Sequence, residues 1–160
     1  MFELLRRYIV VLLVSMVPVI ELRGAIPIGV VGQRLPALQT LFVAVIGNML
    51  PVPIILLFAK KVLLWCCTWP GVLGRFFSKI HEKGMRAGEK IEAKAGRGIY
   101  WGLFLFVAIP LPGTGAWTGS LAATLLDLKF WPSVAAVMLG VASAGLIMLT
   151  LSQLGVLALY

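Results

Sequence analysis

Charge is scarce in this chain. Only 12% of its 160 residues are charged, about half the share in soluble domains, which is about 25%. Acids are scarcest, with six Asp and Glu against 14 Lys and Arg, and there is one histidine. Cysteine is confined to the adjacent pair Cys66-Cys67, between Trp65 and Trp69. Zinc and redox motifs need intervening residues, so this pair is neither. It reads as apolar filler, with acylation near an interface as the alternative. Paired carboxylates, a metal-ligand cluster, a GxSxG elbow and an intramembrane histidine are all missing. Thr114 has no base beyond the distant Glu21, so a hydrolase is not expected. Nor is any cofactor or metal. These absences exclude a disulfide scaffold and an ordinary soluble enzyme.

What the chain has is apolar residues, 61% of the total, with a mean hydropathy of +1.02. That also excludes a disordered segment. At roughly 20 residues per crossing the length admits about four to six membrane elements. The expected class is an all-α integral membrane protein, one membrane domain over 1–160. Met1–Arg7 followed by an apolar run looks like a leader, but Glu21-Leu22-Arg23 follows instead of a small-residue cleavage pattern. The segment is therefore expected to stay in the mature protein.

Hydropathy divides the chain unevenly. Leu35–Ala59 and Phe130–Tyr160 are uncharged and long enough to span, whereas Val62–Gly74 is apolar but short. Tyr8–Gly32 and Gly98–Leu126 differ from these: each has apolar halves around a Pro- and Gly-rich centre. Pro removes a backbone donor and Gly weakens a helix, so both centres should be unwound. Such backbone survives at membrane depth only where protein or a watery cavity satisfies it. Matching interruptions in two halves point to a transporter's binding site. The halves also resemble one another: Pro18 leads to Gly24-Ala25 and Gly29, Pro110 to Gly115-Ala116 and Gly119. The expectation is two inverted repeats, 1–61 and 98–160, each a re-entrant hairpin plus a spanning helix. Two crossings that merely carry prolines are the alternative.

The connector 62–97 gathers half of the charge. Phe76, Ile80, Ala87 and Ile91 recur at near-helical spacing, while Lys79, Lys83, Arg86, Lys90 and Lys94 form a basic stripe. An amphipathic cytoplasmic helix on anionic lipid head groups is expected, weakened by Gly84 and Gly88. A solvated connector is the bland alternative. No motif for nucleic acid accompanies the stripe. With hairpins, both termini lie outside, against the sense of Arg6 and Arg7; with full crossings, both are cytoplasmic.

Glu21 is the one acid within the apolar body, and an ionisable group there is expensive enough to imply function. It is the candidate proton carrier. Arg23 is either its structural partner or an anchor for an anionic substrate, since a guanidinium suits phosphate and carboxylate. The second centre, from Pro110 through Leu111, Pro112, Gly113, Thr114, Gly115, Ala116, Trp117 and Thr118 to Gly119, carries no charge. It offers backbone N–H groups, the hydroxyls of Thr114 and Thr118, and a half-helix N-terminus that attracts anions. A tight turn with close packing at Gly115 and Gly119 is the alternative. Ala136, Gly140 and Ala144 form a small-residue packing face, within the chain or between protomers. Asn48 and Gln153 are lone polar residues expected to bridge helices.

Glu21-Leu22-Arg23-Gly24-Ala25-Ile26-Pro27 together with the Pro110–Gly119 run resembles the small multidrug export protein family over the whole chain. That family looks distantly related to the DedA superfamily, with its paired re-entrant hairpins and proton-dependent transporters linked to polyprenyl-phosphate recycling. The resemblance implies roles for Glu21, Arg23, Pro27, Pro110, Pro112, Gly113, Thr114, Gly115 and Trp117. The expected function is proton-coupled transport of a lipid-linked anion of polyprenyl-phosphate type, or of a small amphiphile. Efflux of cationic drugs is the alternative within that class, and a membrane scaffold acting through the basic helix the alternative outside it. A homodimer in a prokaryotic inner or plasma membrane, multi-pass, is expected.

Overall fold

The computed structural model describes residues 2–111 and 113–159, and their side chains apart from 91–95 and 156–159. Pro112 and the Lys94 side chain therefore lie outside the described residues. All regular structure among the described residues is helical: α1 (Phe2–Met16), α2 (Glu21–Pro27), a π-helical turn (Ile28–Gly32), α3 (Ala37–Met49), α4 (Pro51–Cys67), α5 (Val72–Ala95), α6 (Gly98–Ala108), α7 (Ala116–Leu125) and α8 (Phe130–Leu159).

The helices α3 and α4 form one rod. Leu50 between them keeps helical angles and its N–H reaches Ile46 O at 3.1 Å. Pro51 lacks the donor that would continue the ladder, which divides the rod without ending it. Ala37–Cys67 spans 31 residues, about 46 Å at 1.5 Å per residue and more than the roughly 30 Å hydrocarbon layer. Lys60 and Lys61 made Val62–Gly74 look like a separate short stretch. In fact Val62–Cys67 continue the rod. The second helix long and apolar enough to cross is Phe130–Gly155 within α8.

Both Pro- and Gly-rich centres are broken, but the first only at 17–20, since Gly24 and Pro27 lie in α2 and Gly29 in the π-helical turn. Left-handed angles stand within this first break at Val19 (φ 77°) and just after it at Glu21 (φ 49°), the first residue of α2. Such angles cost a non-glycine about 1–2 kcal/mol each, so tertiary contacts must hold them. The second break runs from Ile109 to Gly115, with Gly113 at φ 84° and Gly115 at φ 151°.

The elements around each break pack alike. Helix α1 runs beside α3 in the same direction: the Tyr8 hydroxyl donates to Gln39, and Gly47 sits so close to α1 that a Cβ there would come 2.0 Å from Ser15 Oγ. Helix α6 runs beside α8 in the same way: Lys129 N–H donates to the Tyr100 hydroxyl at 3.3 Å, and a Cβ on Gly140 would meet Val107 at 2.7 Å. Helix α2 packs on α8, and α7 on α4. The small-residue face of Ala136, Gly140 and Ala144 is thus buried within the chain, by α6 and its neighbours.

The core is small and branched, led by Val11, Leu22, Ile26, Val52, Val107, Val137 and Val141. The exterior carries the large apolar side chains, among them Phe42, Ile54, Phe58, Trp101, Trp131 and Leu146. A surface that apolar suits lipid rather than water. Helix α5 is one 24-residue helix laid across the end of α7. Gly84 and Gly88 are needed there, since a Cβ on either would strike the carbonyl oxygens of Leu125 or Leu126 at 2.4 and 2.1 Å. Lys60 and Asp127 close the same end with an ion pair of 2.5 Å. Lys79, Lys83, Arg86 and Lys90 stay exposed.

Candidate functional site where the two breaks meet

Glu21 opens α2, and its carboxylate lands on the first turn of α7. Oε1 accepts the N–H of Trp117 at 3.1 Å and Oε2 that of Ala116 at 3.3 Å. The first turn of a helix has N–H groups with no partner in the helix and a partial positive charge. A carboxylate answers both needs, and these bonds are stronger with the anion than with the neutral acid. Glu21 is only 4% exposed, so water does not compete for it. Gly115 makes the approach possible. A Cβ at that position would lie 2.0 Å from Oε2, and its φ of 151° also favours glycine.

Arg23, two residues on, takes the complementary role. Its Nη1 donates to Leu111 O, and its Nη2 to Ile109 O at 3.3 Å and to Thr114 Oγ1 at 2.8 Å. Ile109 is the C-terminal cap of α6, where the last carbonyls have no partner within the helix and the helix end is partly negative. Glu-Leu-Arg therefore clasps the second break at both ends, the acid on the N–H groups of α7 and the base on the carbonyls after α6. Among the described ion pairs none joins Glu21 to Arg23, whose guanidinium is spent on the loop.

The second break returns the contact. Trp117 Nε1 donates to Met16 O at 3.1 Å, a carbonyl at the end of α1. The Thr114 hydroxyl shapes the loop from within, 2.8 Å from Ile109 O and 2.9 Å from Leu111 O. In this way the two unwound segments satisfy each other's backbone groups, the condition for irregular chain in an apolar setting.

The other sequence candidates take lesser places. Pro110 and Gly113 shape the loop without a polar contact to Glu21, and open space surrounds Gly113. Thr118 is exposed, and its hydroxyl reaches Gly115 O at 3.4 Å. Pro27 ends α2, away from the clasp, where the π-helical turn begins.

One residue bears more on the site than its sequence suggested. Asn48 is fully buried, and neither its Oδ1 nor its Nδ2 has a partner, so it bridges no helices. It walls a crevice with Glu21, Arg23, Gly115, Val141 and Ala144. The crevice holds about 140 Å³ of unfilled space, spread too thinly for a water molecule. A lone Asn among apolar neighbours was the only available signal.

Residues 21–147 match the family described as "Putative small multi-drug export protein". No curated protein and no solved structure matches the chain. The matched span begins at Glu21, just after the first break, and takes in the second break, Asn48 and the crevice.

Proposed function

The chain belongs to the small multi-drug export protein family, and from that premise we propose that it is a proton-coupled membrane transporter whose gate is the contact between its two breaks. The observation that carries this reading is the Glu21 carboxylate on the first turn of α7. The family description is that of an export protein, which supports a transporter over an enzyme.

In this reading each break is the tip of a re-entrant hairpin, and the halves are an inverted duplication. Three features support it. The pairing of α1 with α3 is repeated by α6 with α8, and α2 on α8 is answered by α7 on α4. The long helices oppose each other, since Gly145 lies by Leu41 while Val141 and Ala144 share the crevice with Asn48. Each hairpin then enters from its own end, and the tips meet midway in a multi-pass protein of a prokaryotic cell membrane.

The clasp also supplies a coupling mechanism. Protonating Glu21 weakens its hold on the N–H groups of Ala116 and Trp117, and the hairpins part. The freed helix end, with Arg23 beside it, is then an anion site for the head group of a lipid-linked phosphate or a small acidic amphiphile. Carboxylate and substrate anion compete for the same donors. Substrate binding and protonation therefore favour one another, as linkage requires. Proton and anion move together.

A second reading rests on Arg23. Its guanidinium is already bound to carbonyls, so the displaced Glu21 could instead receive a cationic drug, exchanging it for a proton. Reconstituted vesicles under an imposed pH gradient test both. Substrate uptake accompanied by protons supports the anion, and countermovement supports the cation. Glu21→Gln should abolish the dependence on the gradient; transport that responds to the gradient as before would sink the proposal.

A further inference from the structure

Asn48 poses a requirement that nothing in the closed clasp meets. It is the penultimate residue of α3 and fully buried. Its amide brings an acceptor, Oδ1, and a donor, Nδ2, and neither has a partner. Polar atoms left unbonded at such depth are costly. Water cannot answer them, since the unfilled space beside Asn48, about 140 Å³, is spread too thinly to hold a molecule of it. The partner must come from the lining of the crevice itself.

Only two other residues of that lining carry polar side chains, Glu21 and Arg23; Leu22, Val107, Val141 and Ala144 are apolar. Arg23 can only donate, and its guanidinium is engaged by Ile109 O, Leu111 O and Thr114 Oγ1. An ionised Glu21 can only accept, so it would satisfy Nδ2 and set its negative oxygens against Oδ1. A protonated Glu21 is different. It has one O–H to give and one carbonyl oxygen to receive, the mirror of the Asn48 amide, and the two planar groups close a ring of two hydrogen bonds. Asn48 thus selects the neutral acid. The N–H groups of Ala116 and Trp117 make the opposite choice, because they bond the anion more strongly.

We propose that Asn48 is the receiving position for protonated Glu21: on taking a proton, the carboxyl leaves the first turn of α7 and turns into the crevice to pair with the Asn48 amide. The proton sits on the oxygen that donates to Oδ1, and it departs when the carboxylate returns to the N–H groups. Asn48 is then a positioning residue, which keeps the neutral acid out of the way while the end of α7 stands open. This pairing rests on the release of Glu21 by protonation proposed above, and adds where the side chain goes. Few charges bear on the exchange. Arg23 lies on α2 itself, while α3, α7, α8 and the π-helical turn carry no charged residue. Helix α1 holds Glu3, Arg6, Arg7 and Tyr8 in its first two turns, at the far end from Met16, and Arg34 lies beside Arg6 and Arg7.

The test is a double-mutant cycle on the purified full chain in detergent, read as the thermal midpoint of helicity. Glu21→Gln is neutral and offers both a donor and an acceptor, so it stands in for the protonated acid, while its NH₂ group is repelled by the N–H groups of α7. In the parent at neutral pH, Asn48→Leu should slightly raise the midpoint, because Asn48 is unbonded there. In the Glu21→Gln background the same substitution should lower it by about 2–4 °C, because a bonded pair is lost. An equal effect in both backgrounds would overturn the proposal. Should Glu21→Gln not fold, dicyclohexylcarbodiimide, which reacts with protonated carboxyls, reads the same position in the parent. At mildly acidic pH its adduct on Glu21, followed by peptide mass spectrometry, should form about threefold more slowly in Asn48→Leu. An unchanged or faster rate would overturn the proposal. Neither measurement involves a transported substrate, so failure of the pairing and failure of gradient-driven transport are told apart.

Discussion

At the first break the left-handed positions are Val19 and Glu21, whereas at the second they are Gly113 and Gly115. The first leads straight into an acid and a base, Glu21 and Arg23 at the start of α2, and the second carries neither. Their contact explains the division. One break provides charged side chains that reach outward, and the other provides bare backbone that must be reached. A side chain on Gly115 would block the approach, while a glycine at Glu21 would leave nothing to approach with. The strained angles at Val19 and Glu21 fit the same logic. Two left-handed non-glycine residues are tolerable only where surrounding contacts over-determine them, and the bonds from Glu21 to α7 are such contacts.

The comparison is broken most severely from the charged side. Glu21→Ala leaves the N–H groups of Ala116 and Trp117 unpaired in a buried place and removes the anion facing the end of α7. The expected loss is about 3–5 kcal/mol, read as a large drop in the thermal midpoint of helicity in detergent. A midpoint within a degree or two of the parent would show that the clasp does not hold the breaks together.

From the backbone side, Gly115→Ala should be nearly as damaging, about 2–3 kcal/mol, because a Cβ 2.0 Å from Glu21 Oε2 expels the carboxylate. Gly113→Ala makes the control. It has a positive φ but open space around it, so it should cost only about 1–2 kcal/mol. Equal losses at the two glycines would mean that backbone angle, not the approach of Glu21, sets the requirement.

Arg23→Lys sharpens the comparison further. The charge stays, but an ammonium cannot fork to Ile109 O, Leu111 O and Thr114 Oγ1 from one position. A loss of about 1–2 kcal/mol is expected in the same melting experiment, and Arg23→Ala should exceed it. If lysine restores full stability, Arg23 acts as a point charge at the end of α6 and not as a fork.

Much of this plan is legible in the sequence, and the illegible parts share a cause. Pro18 and the Pro110–Gly115 run announce both breaks, because loss of a donor and of a Cβ acts locally. The basic stripe from Lys79 to Lys90 announces an amphipathic α5 for the same reason. Lys60 and Lys61 misled, since hydropathy marks them as an end while the helix runs on to Cys67. Lys60 does so with its charge paired to Asp127. Glu21 stands out by its charge, but its partners are 95 and 96 positions away, and no local pattern carries that distance.

The smallest effect expected is a gain. Asn48 lies beside the clasp with both polar atoms buried and unbonded, and unmade hydrogen bonds of this kind cost about 1–3 kcal/mol. Asn48→Leu keeps the branching at Cγ, removes both polar atoms, and extends an apolar side chain toward the unfilled space of the crevice. Part of the gain is lost to tighter packing, leaving about 1 kcal/mol and a slightly raised melting midpoint. The same variant should transport worse if Asn48 takes part when the breaks separate, for leucine offers a displaced Glu21 or an entering ligand no hydrogen bond. Higher stability with undiminished transport would make Asn48 a packing fault tolerated by the fold. Lower stability would mean that its amide is satisfied after all, and that the crevice is part of the resting clasp.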